Sequence, residues 1–183
     1  MRKRLISLVL ALSFIFSGCA TNSAETVETQ SYMSYLGDYG YDEDASALVL
    51  EPIEDEYDED GNQYMGIQYR TITDLDGLLS RTDTPILIYF YSSMSSDTYG
   101  ITAAVEDIAQ CLWGDVLVLA LDSLSYKDLV QAYEISGIPE FVLIENGAHT
   151  SSFGSSGYEY WNTDDVVAWL EECGYTLDYS KLE

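Results

Sequence analysis

An unbroken apolar run that ends in a serine-rich turn constrains the fold of this chain most. Residues 86–91 read ILIYFY, residues 92–96 read SSMSS, and apolar side chains then recur at positions 101, 105, 108 and 112. Such a run is typical of a strand covered on both faces, whereas the later spacing places side chains on one stripe of a helix. The sequence therefore predicts a buried strand that leads through a turn into a helix, and we expect any binding or chemistry at that turn.

Polar side chains in the turn are of the types that cap helix N-termini. Ser95, Ser96 and Asp97 carry oxygens that accept hydrogen bonds from the unpaired N–H groups of a first helical turn. The Asp97 carboxylate would also complement the positive end of the helix dipole. We therefore expect the helix to begin at these residues.

Strand and helix patterns alternate on both sides of this unit. Strands are predicted at residues 64–72, 116–121, 138–144 and 148–153. Helices are predicted where capping residues precede an apolar stripe, after Thr73, after Ser125 and from Thr163. An Asn146-Gly147 turn joins the last two strands as a hairpin. This order predicts one α/β domain with a central mixed β-sheet flanked by helices on both faces.

Two stretches are similar to the signature motifs of the thioredoxin family. The first is PILIYFYSSMSSDTYGITAAVEDIA at residues 85–109, and the second is YEISGIPEFVLIENG at residues 133–147. The resemblance implies a thioredoxin-like fold over most of residues 64–183, with a cis Ile138-Pro139 bond that faces the redox turn. Two motifs at the right separation indicate this fold more specifically than either motif alone.

The residues that carry redox chemistry in this family differ here. The alignment places Ser95 and Thr98 at the two cysteines of the CxxC motif and Met94 at the preceding tryptophan. Attack on a disulfide needs a thiolate, and a hydroxyl group neither ionises near neutral pH nor stores electrons reversibly. The resemblance also places Tyr89 at the family's buried acid and Ala120 at its lysine. We therefore predict a redox-inactive domain with no catalytic residue and no cofactor.

A groove that binds a protein or peptide is the function predicted instead. In the family, the backbone before the cis proline pairs with an extended substrate peptide, and a strand beginning at proline leaves neighbouring backbone groups free for strand addition. The alternative is that the proline only shapes the start of the strand. The predicted binding residues are Met94, Ser95, Ser96, Asp97, Thr98, Tyr99, Ile138, Pro139, Tyr158, Tyr160 and Trp161.

Three of these residues belong to an aromatic loop, GSSGYEYWN, at residues 154–162. Tyrosine and tryptophan in a glycine and serine context have the composition of an interaction surface. The alternative is that the rings fold back over the edge of the sheet. An exposed aromatic cluster would extend the groove beside Pro139.

The N-terminal residues have the pattern of a bacterial lipoprotein signal. Three basic residues at positions 2–4 precede an apolar run at 5–16, and the sequence FSGC at 16–19 resembles a lipobox. The apolar run is short for a transmembrane helix. We therefore expect residues 1–18 to be removed and the mature chain to be anchored through a lipid on Cys19 to the outer side of the cell membrane. An uncleaved signal anchor is the alternative.

Residues 19–63 are acidic and rich in tyrosine, with no lasting helical or alternating period. This composition predicts a largely disordered tether, with an interaction tract as the alternative, and a folded domain that starts at residue 64. Residues 47–50 are the exception, since they can add a short strand. Ile67 occupies the position at which a calcium loop starting at Glu56 requires a bidentate glutamate, so no metal site is predicted.

The net charge excludes one class of partner. It changes from −25 to −28 when residues 1–18 are removed, because they contain three basic residues and no acidic residue. This balance disfavours nucleic acid, since binding to phosphates requires clustered lysine or arginine. It also repels anionic lipid head groups, so the lipid must hold the chain at the membrane.

Two other functions remain open from the sequence. A hydrolase or thiol enzyme would need other residues, but the sole histidine, His149, is predicted on the second hairpin strand, away from the turn. Cys111 and Cys173 are expected as buried thiols, with a structural disulfide between them as the alternative. A structural spacer without a ligand is the second possibility.

Overall fold

Seven strands form one mixed β-sheet in the computed structural model, which describes residues 32–40, 46–53, 61, 66–94, 100–154 and 162–182. The strands are β1 Leu36–Tyr39, β2 Ala47–Pro52, β3 Ile67–Ile72, β4 Ile86–Tyr91, β5 Leu117–Asp122, β6 Glu140–Glu145 and β7 Ala148–Gly154. Their order across the sheet is β1-β3-β2-β5-β4-β6-β7. Strands β4 and β5 run parallel, whereas the other neighbouring strands run antiparallel.

Helices cover both faces of this sheet. The α-helices are α1 Leu75–Leu79, α2 Ala103–Leu112, α3 Lys127–Ala132 and α4 Thr163–Glu172, and short 3-10 helices lie at Tyr32–Tyr35 and Tyr179–Leu182. Side chains of α2 and α4 pack on one face, and side chains of α1 and α3 pack on the other. The predicted α/β architecture is confirmed.

The buried strand at the centre of the sequence is also the centre of the sheet. Every residue of β4 is buried, as is every residue of the adjacent β5. Leu87 and Tyr89 pack toward α2 and α4, while Ile88 and Phe90 pack toward α1 and α3. Two covered faces explain why no polar residue interrupts the run.

The folded domain begins earlier than residue 64. Strand β2 lies between β3 and β5 and pairs with both, and β1 adds a further strand beside β3. Leu48 and Val49 have 0% exposure and Leu50 has 1%. Two strands of the sheet thus lie in the segment expected to be a tether, and β2 includes the short strand expected at residues 47–50. Residues 19–31, 41–45, 54–60 and 62–63 of that segment lie outside the described residues.

Helix α2 begins later than predicted. Its first residue is Ala103, and the side chain of its N-cap residue, Thr102, makes no capping hydrogen bond. Residues 100–102 are not helical. Ser95 and the neighbouring polar residues therefore do not set the start of this helix, although residues 95–99 themselves lie outside the described residues. The apolar stripe is confirmed, since Val105 and Ile108 are buried.

Other helix caps differ by one residue from the predicted positions. Asp74, not Thr73, caps α1, with a carboxylate oxygen that accepts from a backbone N–H three residues on at 2.9 Å. Asn162, not Thr163, caps α4 in the same way, also at 2.9 Å. Ser125 does not cap α3 but donates to another side chain. The sequence pattern located the helices but not the oxygen that reaches the free N–H.

The predicted hairpin between β6 and β7 is confirmed. Asn146 and Gly147 have φ angles of 53° and 72°, the left-handed values that a two-residue hairpin turn requires. Gly147 also packs closely, because a Cβ there would lie 2.9 Å from the carbonyl oxygen of Ser80. The turn therefore demands glycine on two grounds.

The chain divides into two compact units, Met1–Gln30 and Ser31–Glu183. The first unit contains the predicted signal sequence and Cys19 and lies outside the described residues. Within the described part of the chain, no helix has the length and apolar character needed to cross a bilayer. All structural statements here concern the second unit.

Candidate functional site

Four strands begin or stop along one end of the sheet. We call this end, at which the strands terminate, the groove edge; it is not an edge strand. Strand β4 ends at Tyr91 beside Asp122, the last residue of β5. Strand β6 begins at Glu140, which pairs with Phe90 on one side and with Gly154, the last residue of β7, on the other. The groove edge therefore brings together the turn after β4, the turn after β5 and the residues that precede β6.

Three of the predicted groove residues lie in the described structure, and all are at this edge. The Ile138-Pro139 bond is cis, as the resemblance implied. Pro139 is buried and Ile138 is half-buried. Met94 is 84% exposed, so it is available at the surface and does not fill the core. The remaining predicted binding residues lie outside the described residues: Ser95, Ser96, Asp97, Thr98, Tyr99, Tyr158, Tyr160 and Trp161.

Asp122, which the sequence analysis did not single out, holds two turns of this edge together. Its Oδ1 accepts from the backbone N–H groups of Ser93 at 3.2 Å and Leu124 at 3.3 Å. Its Oδ2 accepts from the hydroxyl of Ser125 at 2.9 Å. The carboxylate belongs to a residue only 5% exposed, so it fixes the turn that carries Met94 relative to the turn after β5. A lone acid directly after an apolar strand was the available sequence signal.

The backbone just before Pro139 has no hydrogen-bond partner within the described part of the chain. Among the described residues, positions 136–138 neither donate nor accept a backbone hydrogen bond. Pairing is intact on both sides, since Ile135 N–H donates to the Val130 carbonyl at 2.9 Å and Glu140 pairs with β4. Unpaired backbone groups in consecutive residues at a sheet edge are the feature that strand addition requires.

Tyr89 and Ala120 replace the ionisable pair that the resemblance implies beneath this edge. The two residues are paired across β4 and β5, and both have 0% exposure. The Tyr89 hydroxyl donates to the carbonyl of Gly100 at 2.8 Å. Burial raises the pKa of Tyr89 well above its ordinary value, so the phenol stays protonated and cannot relay a proton near neutral pH.

Glu140 is a second residue that the sequence analysis did not single out. It directly follows Pro139 and is half-buried, and burial raises the pKa of its carboxyl group. Its carboxylate occupies the space left by the missing side chain of Gly154, where a Cβ would overlap it. Neither ion pair of the described chain involves this carboxylate, and no described side chain donates a hydrogen bond to it.

A cleft of about 650 Å³ opens beside the turn after β5. It is lined by residues 72–76, which end β3 and begin α1, and by residues 125–129, which begin α3. Three aspartates, Asp74, Asp76 and Asp128, are among these lining residues, with Lys127 as the basic one. The surface next to the groove edge is therefore predominantly acidic.

The two cysteines of the described chain are free thiols. Cys111 is buried as predicted, whereas Cys173 is half-buried. Burial raises the pKa of Cys111, and the charge of Asp107 adds to the shift. A raised pKa disfavours the thiolate that thiol chemistry needs. Cys111 lies near the C-terminal end of α2, at the sheet edge opposite Pro139.

His149 contacts a hydroxyl group, the kind of pair that an enzyme would use. Its Nε2 lies 2.8 Å from Ser152 Oγ, and its ring centroid lies 5.3 Å from that of Tyr133. Both residues of the pair are exposed on β7. Among the described residues, no carboxylate hydrogen-bonds to this imidazole to orient it, so the pair lacks the third group of a nucleophilic site. The described residues also contain no group of three or more ligands placed to hold a metal ion.

Comparisons with known proteins agree on one family. Residues 67–171 match the family model described as Thioredoxin. Thioredoxin Y, chloroplastic, of Oryza sativa subsp. japonica is 23% identical over 78 residues, which cover 43% of this chain and 46% of that protein. Thioredoxin Y2, chloroplastic, of Arabidopsis thaliana is 26% identical over 78 residues, which cover 43% of this chain and 47% of that protein. The chain thus spans about half the length of these relatives.

Two thioredoxins are among the solved structures that resemble this chain. The germline-specific thioredoxin Deadhead of Drosophila melanogaster has a TM-score of 0.42 at 18% identity, covering 49% of this chain and 81% of that chain. Mitochondrial thioredoxin 3 of Saccharomyces cerevisiae has a TM-score of 0.44 at 18% identity, covering 53% and 85%.

Proposed function

The chain belongs to the thioredoxin family. We propose that it is a lipoprotein anchored to the outer side of the cell membrane, and that its domain binds an extended segment of a protein or peptide. We propose further that the domain does not exchange electrons with this partner. The observation that carries the proposal is that the backbone of residues 136–138, beside Pro139, pairs with no other described residue. A segment that adds as a strand would hydrogen-bond to these groups. Met94, 84% exposed, would supply flexible apolar surface on the opposite side of the groove.

The absence of electron exchange is proposed from the chemistry of the side chains. Ser95 and Thr98 occupy the positions of the two redox cysteines, and neither hydroxyl is a substitute for a thiolate. Tyr89 stays neutral where the family has an acid. Cys111 is buried with a raised pKa and lies away from the groove edge. These features remove the nucleophile, the proton relay and the nearest replacement thiol.

Membrane anchoring is proposed from the signal pattern that ends at Cys19. The described domain begins at Tyr32, which lines a small cavity with Thr84 and Trp113. This cavity lies where β4 and β5 begin, at the sheet edge opposite Pro139. Tyr32 therefore lies at the end of the sheet away from Pro139.

Site-specific crosslinking tests the proposed binding function. A photo-crosslinking amino acid placed at Met94 or Ser136 of the full chain, in its native envelope, is expected to capture the same protein partner. The matched control is the same amino acid at Glu171, an exposed residue of α4, where no such capture is expected. Equal capture at all three positions, or none at Met94 and Ser136, would contradict a groove.

Insulin reduction tests the redox proposal. The full chain is expected to add nothing to the rate given by dithiothreitol alone. Turnover that persists in a variant with Cys111→Ser and Cys173→Ser would overturn the redox-inactive assignment, because the mature chain would then have no thiol in this domain.

A further inference from the structure

We propose that Glu140 makes the groove selective for extended segments that carry a lysine or arginine, whose cationic side chain pairs with the Glu140 carboxylate. The inference rests on the proposed function, since it assigns a specificity to the same groove. Its support comes from the position of Glu140, the space provided for its carboxylate and the lack of a cation nearby.

Glu140 is placed where an added strand would reach it. The residue directly follows Pro139 and is two positions from Ile138, so it adjoins residues 136–138, which form no backbone hydrogen bond among the described residues. It lies between Phe90 at the end of β4 and Gly154 at the end of β7. Long side chains on neighbouring strands contact each other over diagonal distances of about 7–8 Å. A lysine or arginine of the added segment can therefore reach the carboxylate.

The sequence leaves a specific space for this carboxylate. At Gly154 a Cβ would overlap both the Oε2 and the Cδ of Glu140. Any residue other than glycine would therefore displace the carboxylate from its place between the ends of β6 and β7. The carboxylate of Glu140 thus lies in the space beside Gly154, and no described side chain donates a hydrogen bond to it.

The charge of Glu140 is not balanced within the described chain. Three of the four basic residues there are engaged elsewhere: Arg70 with Glu51, Arg81 with Asp83, and Lys181 with backbone carbonyls of Cys111 and Trp113. The fourth, Lys127, lines the cleft at α3 and forms no ion pair among the described residues. A half-buried carboxylate with no counter-charge is unfavourable, and an incoming cation would relieve that cost.

The rest of the molecule favours the same partner. The full chain carries a net charge of −25, and the cleft beside the groove edge is lined by three aspartates. Such a field attracts cationic segments and repels acidic ones before contact is made. The overall negative charge would attract any cationic segment, whereas Glu140 would favour segments with a lysine or arginine at the one position that contacts its carboxylate.

Binding of matched peptides to the full chain in detergent micelles tests this inference. The probes are short peptides of valine, threonine and serine, acetylated and amidated, that differ only in a central lysine, glutamine or acetyl-lysine. Fluorescence anisotropy is expected to show about tenfold tighter binding of the lysine peptide than of the other two, the size of one charge-assisted hydrogen bond. Rising salt should reduce this preference.

Variants separate Glu140 from the overall charge. Glu140→Gln is expected to bind all three peptides with similar affinity, whereas Glu171→Gln, which removes the same charge from an exposed position on α4, should keep the lysine preference. If the parent chain binds the three peptides equally, or if Glu140→Gln keeps the preference, the inference is wrong while the groove stands. If the parent binds none of them, the proposed function fails and the inference fails with it.

Thermal unfolding of each variant accompanies the binding assay. Should Glu140→Gln not fold, the parent chain alone still decides the question, because lysine and acetyl-lysine peptides have nearly the same shape and differ in charge. Equal affinity for these two peptides would overturn the inference, and a salt-sensitive preference for lysine would support it.

Discussion

The two edges of the sheet differ in how completely the chain satisfies its own backbone. At the edge opposite the groove, residues 178–182 close over the end of α2, and we call them the C-terminal clasp. Lys181 Nζ donates to the carbonyls of Cys111 at 3.4 Å and Trp113 at 2.7 Å, and the Asp178 N–H donates to Cys111 at 3.3 Å. The side chain of Gln110 donates back to the Lys181 carbonyl. At the groove edge, by contrast, residues 136–138 have no such partners in the described chain.

This difference indicates where to look for function in a family member whose sequence contains no CxxC motif. Helix ends and strand ends present unpaired groups in any fold, and a chain that covers one edge with its own C-terminus has the means to cover such groups. Leaving the other edge open, next to Pro139 and an exposed Met94, is consistent with a site completed by a partner.

The largest expected effect comes from breaking the support of the groove edge. Asp122→Ala removes a carboxylate that accepts three hydrogen bonds and leaves the N–H groups of Ser93 and Leu124 without it. We expect the free energy of unfolding to fall by about 2–4 kcal/mol, because buried groups lose charge-assisted bonds. Urea denaturation measures the change. Asp107→Ala, at an exposed position on α2, is the control and should change it by less than about 0.5 kcal/mol.

Breaking the C-terminal clasp should have a smaller effect and a different consequence. Lys181→Met keeps the aliphatic stem but removes the ammonium that donates to the last carbonyls of α2. A loss of about 1–2 kcal/mol in the free energy of unfolding is expected, from the hydrogen bonds and the favourable charge at a helix C-terminus. Peptide binding should stay unchanged. A loss of peptide binding in folded Lys181→Met would mean that the two edges are not independent.

How far the sequence predicts these edges depends on whether the determining contacts are local. The buried run of β4 and the Asn146-Gly147 turn were predicted because each pattern lies within a few neighbouring residues. The cis bond at Pro139 followed from the family resemblance, and its presence is observed. Local pattern and family resemblance together therefore gave the architecture and one wall of the groove.

Contacts between distant residues explain the failures. A short strand was expected at residues 47–50, but Glu51 was assigned to the acidic tether. Glu51 is instead 2% exposed on β2, and its Oε2 lies 4.0 Å from a guanidinium nitrogen of Arg70 on β3. The position of Asp122 after an apolar run was visible in the sequence, but its partners were not, since they lie in two separate turns. Glu140 depends on the glycine opposite it on β7. A single sequence does not reveal which distant residue compensates a buried charge.

The smallest expected effect is a pH dependence that distinguishes the carboxyl groups of the two edges. Burial raises the pKa of Glu140. In the pH range between the ordinary pKa of a glutamate and the raised pKa of Glu140, the folded state keeps a proton that the unfolded state has lost. The free energy of unfolding therefore falls as the pH rises through this range. The Glu140→Gln variant has no carboxyl group at this position, so its free energy of unfolding does not include this fall. The stability of the variant minus that of the parent should therefore increase with pH across this window, and urea denaturation at a series of pH values measures it.

For Asp178 in the C-terminal clasp, the difference in stability between variant and parent should change with pH in the opposite direction. Hydrogen bonds from the Ser180 hydroxyl and backbone N–H lower the pKa of its carboxyl group. Its contribution is present above the ordinary pKa of an aspartate and is lost as pH falls through the lowered value. For Asp178→Asn, the stability of the variant minus that of the parent should therefore decrease as pH rises. Differences of the same sign for both variants would contradict the contrast between Asp178, whose carboxylate has donors in the clasp, and Glu140, whose carboxylate has no donor among the described side chains of the groove edge.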